Sequence, residues 1–252
     1  MIETAILIEL QHKKPLIHCI SNIVTANDCA NLLLAVGASP IMAQAPEEMV
    51  EISAAAQAVV LNTGTPDEDK FLACTRAGHA ANAHGVPVIL DPVGIGASQW
   101  RLEHIHALLD NVHPDIIRVN YGEACALLGH PAAEHGVDSL ASELSRRKEL
   151  ASELALALDC VVLLSGTEDV VSDGVRTECI VGGSERMKQI TGAGCMLSAL
   201  CGAFCAVESA FDAALDASRF WKRTAERADS ISRGCGLGRY HMALFDAVSM
   251  HI

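Results

Sequence analysis

The residues best suited to chemistry cluster at Ile190-Thr191-Gly192-Ala193-Gly194-Cys195, ahead of an Ala- and Leu-rich stretch that predicts a helix over Ala193–Val207. The two glycines let the backbone turn tightly and approach a ligand closely. A helix starting there presents N–H groups with no partner one turn back, and the positive end of its dipole. Together these make an anion site suited to phosphate. Cys195 falls in the first turn, where the dipole is expected to lower a thiol's pKa and make it a base or nucleophile. The same string also fits a plain loop into a core helix with a buried cysteine, because GxGC is a short pattern.

Other side chains could work with that turn. Asp91 follows an apolar run and precedes Pro92-Val93-Gly94-Ile95-Gly96. A carboxylate there could hold Mg²⁺ near phosphates, directly or through water, and Glu123 could do the same. Each also fits an ordinary helix-start carboxylate. Arg118, alone in an apolar run, fits a structural ion pair or a phosphate clamp. His18 reads as a satisfied, half-buried histidine. Cys201 and Cys205 read as core, not metal ligands. Asp216, Arg219, Lys222, Arg223 and Glu226 read as the solvated face of a helix.

Elements that could position these residues are visible as short apolar runs alternating with helical patterns. Strands are expected at Leu16–Cys19, Pro40–Met42, Ala58–Asn62, Pro87–Leu90, Ile116–Val119 and Val161–Ser165. A further pair, Asp169–Ser172 and Arg176–Val181, is joined by the hairpin signal Asp173-Gly174. Helices are expected at Ala26–Val36, Glu47–Ala55, Asp67–His84, Ser98–Asn111, Tyr121–Leu128 and Ser139–Leu158. Ala193–Val207, Ala210–Ser230 and Tyr240–Met250 complete the set. Several strands lack alternation, as strands buried on both faces do. An α/β fold follows: a mostly parallel sheet with helices on both faces, in one domain spanning 1–252. In such sheets ligands bind beyond the C-terminal strand ends, which is where Asp91, Asn120 and Gly166 stand.

Composition narrows the function classes. Half of the 252 residues are apolar, so a sizeable core is expected. The net charge of -13 argues against a nucleic-acid partner, which needs clustered Lys and Arg. No apolar run is long enough for a transmembrane helix, and Met1–Lys14 lacks the features of a leader, so a cytoplasmic protein is expected. The 10 cysteines form no CxxC pair and read as buried free thiols.

The chain resembles the hydroxyethylthiazole kinases over nearly its whole length. The resemblance is carried, in order, by Pro15-Leu-Ile-His-Cys-Ile-Ser-Asn22, Ala30-Asn-Leu-Leu-Leu-Ala-Val-Gly-Ala-Ser-Pro-Ile-Met42 and Leu61-Asn-Thr-Gly-Thr65. Gly85-Val-Pro-Val-Ile-Leu-Asp-Pro-Val-Gly-Ile-Gly-Ala97 and Thr191-Gly-Ala-Gly-Cys195 complete it. It implies a three-layer α/β/α ribokinase-like fold, Mg²⁺-ATP-dependent phosphorylation of 4-methyl-5-(2-hydroxyethyl)thiazole, and a homotrimer with active sites between subunits. Met42 and Gly192 match substrate-contacting positions, and Asn22 lies where the thiazole pocket is expected. Arg118 and Ser165 match ATP-binding positions, with the Ala193 and Gly194 backbone beside the phosphates. Asp91 and Glu123 match acidic positions of the magnesium and phosphate region. Cys195 matches the family's cysteine, found where many ribokinase-like enzymes carry a catalytic Asp. The sequence departs from the family at Val119-Asn120, commonly Gly-Asn, and at Ser165, more usually Thr. It departs again at Gly234-Cys-Gly-Leu-Gly238, where a Gly-Pro-Gly-Ser-Phe type segment is usual. A kinase for a pyrimidine or pyridoxal-type alcohol, an ADP-forming lyase and a thiol or metal sensor stand as alternatives.

Overall fold

The computed structural model describes residues 2–131 and 140–250. Eight strands form one sheet: β1 Leu16–Ile20, β2 Ser39–Ile41, β3 Ala58–Asn62, β4 Val88–Asp91, β5 Ile116–Asn120, β6 Val161–Ser165, β7 Asp169–Ser172 and β8 Thr177–Ile180. Their spatial order is β2-β1-β3-β4-β5-β6-β7-β8. The first six are mutually parallel and the last two antiparallel. The helices are α1 Ile2–Lys13, α2 Ala26–Ala35, α3 Met49–Ala55, α4 Glu68–His84, α5 Gln99–Leu109, α6 Tyr121–Leu128, α7 Leu140–Leu158, α8 Ala193–Cys205, α9 Ala210–Ile231 and α10 Leu237–Ser249.

The strands read as continuous apolar runs because both faces are covered. In β3, Ala58 and Val60 belong to the core shared with α1, α2, α8, α9 and α10, whereas Val59 and Leu61 belong to the core shared with α3 to α7. Successive side chains point to opposite faces, so an all-buried strand joins two cores. On the first face α8 lies close to the sheet. Gly202 makes this possible, since a Cβ there would stand 2.6 Å from Val60 Cγ2.

Local signals fix the ends of the elements. Asp67 caps α4 by accepting from the Lys70 N–H at 2.8 Å, and Gly85 ends it at φ 67°. Asn120 and Glu123 form a reciprocal capping box at the head of α6. The Asp173-Gly174 hairpin is present between β7 and β8, with Asp173 Oδ1 accepting from the Val175 and Arg176 N–H groups. β3, β6, β7 and α6 have the expected boundaries; most others shift by one or two residues. The expected start of α7 at Ser139 lies outside the described residues.

Two features depart from the sequence reading. Helix α1 was not expected; it buries Ile6, Leu7 and Leu10 while Ile8 is exposed. Its apolar residues do not gather on one stripe, so the period that announces an amphipathic helix is missing. In α9, Asp216 and Lys222 are buried, not solvated. No helix among the described residues is long and apolar enough to cross a membrane.

The order β2-β1-β3 reverses the direction of winding between β1 and β3. Loops leaving the two strands there diverge and open a crevice. Asn22 follows β1 and Asn62 ends β3 on the two sides of that point, with Asp91 ending the next strand.

Candidate active site

The crevice is closed from one face by the start of α8. Gly192 adopts φ 81° and ψ 3° at its N-cap, a left-handed conformation open to glycine at little cost. A Cβ at 192 would also collide with the Thr25 side chain, and one at 194 with the Arg118 guanidinium. Both glycines are therefore required by close approach. Met196 donates back to Gly192 O at 2.8 Å, and the N–H groups of Ala193, Gly194 and Cys195 stand ahead of that first helical bond. They are the donors that a helix start can offer an anion.

From Cys195 a chain of hydrogen bonds crosses the strand ends. Asn22 Nδ2 donates to Cys195 Sγ at 3.2 Å and to Asn62 Oδ1 at 3.1 Å. Asn62 Nδ2 donates to Asp91 Oδ2 at 2.8 Å, and Ser198 Oγ, one turn along α8 from Cys195, donates to the same oxygen at 2.8 Å. Arg118 Nη1 lies 3.4 Å from Asp91 Oδ1, and Arg118 Nη2 donates to Ser165 Oγ at 2.6 Å. Arg118 Nε is buried without a partner. Lys70, on α4, ties together the loops after β1 and β3: its Nζ donates to Ser21 O at 2.8 Å and Gly64 O at 2.9 Å.

Electrostatics divide the site into a charged half and a neutral one. Burial works against the charge on Arg118, but Asp91, Glu123, Cys195 and Asp169 outweigh it and raise its pKa. The guanidinium is thus a fixed cation. At Cys195 burial raises the thiol's pKa and Asp91 adds to it, while Asn62, Thr25 and Asn22 pull it the other way. Contrary to the acidified thiol expected from the helix start, burial and the neighbouring carboxylate leave the Cys195 pKa above its ordinary value.

Beside Arg118 and Gly194 opens a cavity of about 280 Å³. Ser165, Gly166 and Thr167 line one side, Gly182 to Glu185 another, and Leu197, Trp221 and Ala225 give it an apolar part. Trp221 Nε1 donates to Ala193 O at 3.1 Å, tying α9 to the start of α8.

The two carboxylates fit a metal only in a limited way. Both Glu123 oxygens accept from backbone, Oε1 from Gly94 N and Oε2 from Asn120 N, each at 2.9 Å. Asp91 is fully buried and already takes Asn62, Ser198 and Arg118. Among the described residues no group of three His, Cys, Asp or Glu could hold a metal ion. This donor set fits an ion brought in on phosphates with its own waters, and does not form a protein cage.

Of the residues singled out from sequence, Asn22, Asp91, Arg118, Ser165, Gly192, Ala193, Gly194 and Cys195 meet around the head of α8. Glu123 stands to one side on α6, and Met42 follows edge strand β2, half-buried. His18 is fully buried, with Ser53 Oγ at 3.0 Å and Ala43 O at 3.1 Å. All ten cysteines are free, and Cys201 and Cys205 are buried. Asn62, Ser198, Lys70, Trp221 and Lys222 were not singled out for chemistry. Asn62, as the last residue of an apolar strand, carried the one signal that could have found it.

A sequence profile described as the Hydroxyethylthiazole kinase family matches residues 7–251. A hydroxyethylthiazole kinase of Clostridium botulinum (strain Alaska E43 / Type E3) is 42% identical over 247 residues, covering 96% of this chain and 89% of the relative. The solved hydroxyethylthiazole kinase structure of Pyrococcus horikoshii OT3 superposes with a TM-score of 0.89 at 35% identity, covering 99% of this chain and 93% of that one. A ribokinase-like superfamily protein from Enterococcus faecalis V583, at 11% identity and a TM-score of 0.67, covers 98% and 94% of the two chains and shares the fold. The fold is therefore ribokinase-like, and the chain belongs to the hydroxyethylthiazole kinase family.

Proposed function

We propose that the chain transfers the γ-phosphoryl group of ATP to the primary hydroxyl of 4-methyl-5-(2-hydroxyethyl)thiazole, a thiamine salvage step. One observation carries the reading. The head of α8 sits between the hydrogen-bonded pair Asn22 and Cys195 and a cavity at Arg118 and Ser165. An alcohol on the first side and a nucleotide on the second would meet across Gly192–Cys195.

The alcohol oxygen forms the new O–P bond, the bond from the γ-phosphorus to the bridging oxygen breaks, and ADP leaves. Such transfer rests on positioning and charge stabilisation more than on covalent chemistry. The N–H groups of Ala193, Gly194 and Cys195 face the charge that spreads over the phosphoryl oxygens. Arg118 carries a second, permanent charge to the same place. The thiolate form of Cys195, with Asn22 donating to its Sγ, takes the hydroxyl proton late and becomes the thiol. A loose transition state asks little of its base, so the small thiolate fraction left by a raised pKa suffices.

Met42, Asn22 and Gly192 are assigned to the thiazole, and Arg118, Ser165, Ala193 and Gly194 to ATP. Mg²⁺ would neutralise phosphate charge, with Asp91 and Glu123 beside it through water. We assign the chain to the cytoplasm and to a homotrimer with active sites between subunits. Ile23 and Val24, directly after Asn22, are 83% and 59% exposed, which supports a neighbouring subunit covering them. Light scattering on the purified protein tests the trimer; a monomer at assay concentration contradicts it. ADP release with the thiazole alcohol tests the reaction, and silence with that alcohol contradicts it.

A further inference from the structure

Lys222 lies on the buried side of α9 and lines the cavity. Its Nζ donates to Thr167 O at 3.0 Å, Gly166 O at 3.4 Å and Gly182 O at 3.4 Å, and stands 3.4 Å from Asp169 Oδ1. An ammonium has three donors, and three carbonyls take them. Gly166 and Thr167 form the turn after β6, next to Ser165; Gly182 begins the segment after β8. Both segments line the cavity, so one ammonium fixes the gap between two of its walls.

The same turn is held from the other side of the sheet. Arg147, on α7, donates to Leu164 O at 3.3 Å and Glu168 O at 3.0 Å. Asp169 takes the Gly166 N–H at 2.8 Å on one oxygen and the Ser218 hydroxyl at 2.8 Å on the other. A turn whose polar groups are taken by buried side chains keeps its shape before a ligand arrives, which lowers the cost of binding.

We propose that Lys222 is a positioning residue for the nucleotide. It sets the width of the cavity between the Gly166–Thr167 turn and Gly182, and makes no phosphate contact of its own. The inference rests on the reading that this cavity takes ATP.

The chain has two tryptophans, Trp100 and Trp221. In a Trp100→Phe background, Trp221 fluorescence reports nucleotide binding without turnover. Three proteins are titrated with ATP and assayed with the thiazole alcohol: Lys222→Met, Lys222→Gln and the unchanged residue. Lys222→Met is expected to raise both the ATP midpoint and the KM for ATP on the order of tenfold, with kcat and the KM for the alcohol little changed. Lys222→Gln keeps neutral donors for the carbonyls and is expected to fall between. Equal losses in the two variants would mean that the ammonium's charge matters and not its donors to the three carbonyls, and would overturn the positioning role. An unchanged ATP midpoint in Lys222→Met overturns it too, as does a parallel fall of every constant together with Tm. Should Lys222→Met fail to fold, Lys222→Gln decides alone: an unchanged ATP midpoint refutes the proposal. No ATP signal in the parent protein overturns the reading of the cavity itself, an outcome distinct from variants that bind as the parent does.

Discussion

Gly194→Ala separates two effects of opposite sign. In a helix, Ala for Gly stabilises by up to about 1 kcal/mol, so propensity alone favours the variant. Against this, the new Cβ falls on the Arg118 guanidinium, which packs directly on Gly194. Arg118 must shift to make room, which strains or breaks its 2.6 Å bond to Ser165. A hydrogen bond to a charged group contributes about 1.5–3 kcal/mol. At ~1.4 kcal/mol per factor of ten, that loss lowers kcat/KM for ATP by about 10- to 150-fold. The propensity gain offsets only about a third to two-thirds of that loss, so Tm should fall by a few degrees while activity collapses. Gly122→Ala is the control, because its Cβ would meet nothing closer than Asn120 Oδ1 at 3.5 Å. The measurement is steady-state ADP release over an ATP series, with thermal unfolding alongside. Wild-type kcat/KM in Gly194→Ala would refute the claim that the α8 head and Arg118 share one phosphate site.

Three further outcomes follow from the same geometry. Cys195→Ala should slow turnover strongly yet leave ATP binding. Because burial and Asp91 raise the thiol's pKa, log kcat of the parent should still climb above the ordinary thiol value of about 8.5. The Ala variant should lose that slope, and an unchanged kcat would remove Cys195 from the mechanism. Lys70→Met strips the donor from the Ser21 and Gly64 carbonyls, at about 1–3 kcal/mol for each buried acceptor left alone. Tm should fall and the KM for the alcohol should rise more than that for ATP; equal KM values to the parent would show that the loops hold themselves. Glu208 has its pKa pushed up to about 7 by burial, then by Asp216, Asp212 and Glu9. A carboxyl raised in the folded state favours the fold when protonated, and that contribution is lost as pH rises from the ordinary Glu range through about 7. Tm should therefore decline from pH 5.5 to 8, and Glu208→Gln should flatten the decline; a parallel curve contradicts the assignment.

Much of the sheet was legible because strands buried on both faces write themselves as apolar runs. Ala58–Asn62 and Val161–Ser165 were bounded to the residue for that reason. Strand order was not legible. The β2-β1-β3 reversal that opens the crevice leaves no mark on either strand. Gly192 and Gly194 were legible as glycines before a helix, but what they make room for, Thr25 and Arg118, is distant in sequence. The acidity assigned to Cys195 failed because a helix start is local information, while burial and Asp91 come from the tertiary structure. Lys222 was misread for a related reason. Charged residues on a helix ordinarily face water, and only the carbonyls of Gly166, Thr167 and Gly182 reveal that this one does not. Lys70 is hidden in the same way.

The most direct test of the account is ADP release with ATP across thiazole, pyrimidine and pyridoxal alcohols, repeated with Cys195→Ala. Turnover with 4-methyl-5-(2-hydroxyethyl)thiazole should stand well above the others and be lost in the variant. Turnover of a pyrimidine or pyridoxal alcohol without the thiazole alcohol would contradict it.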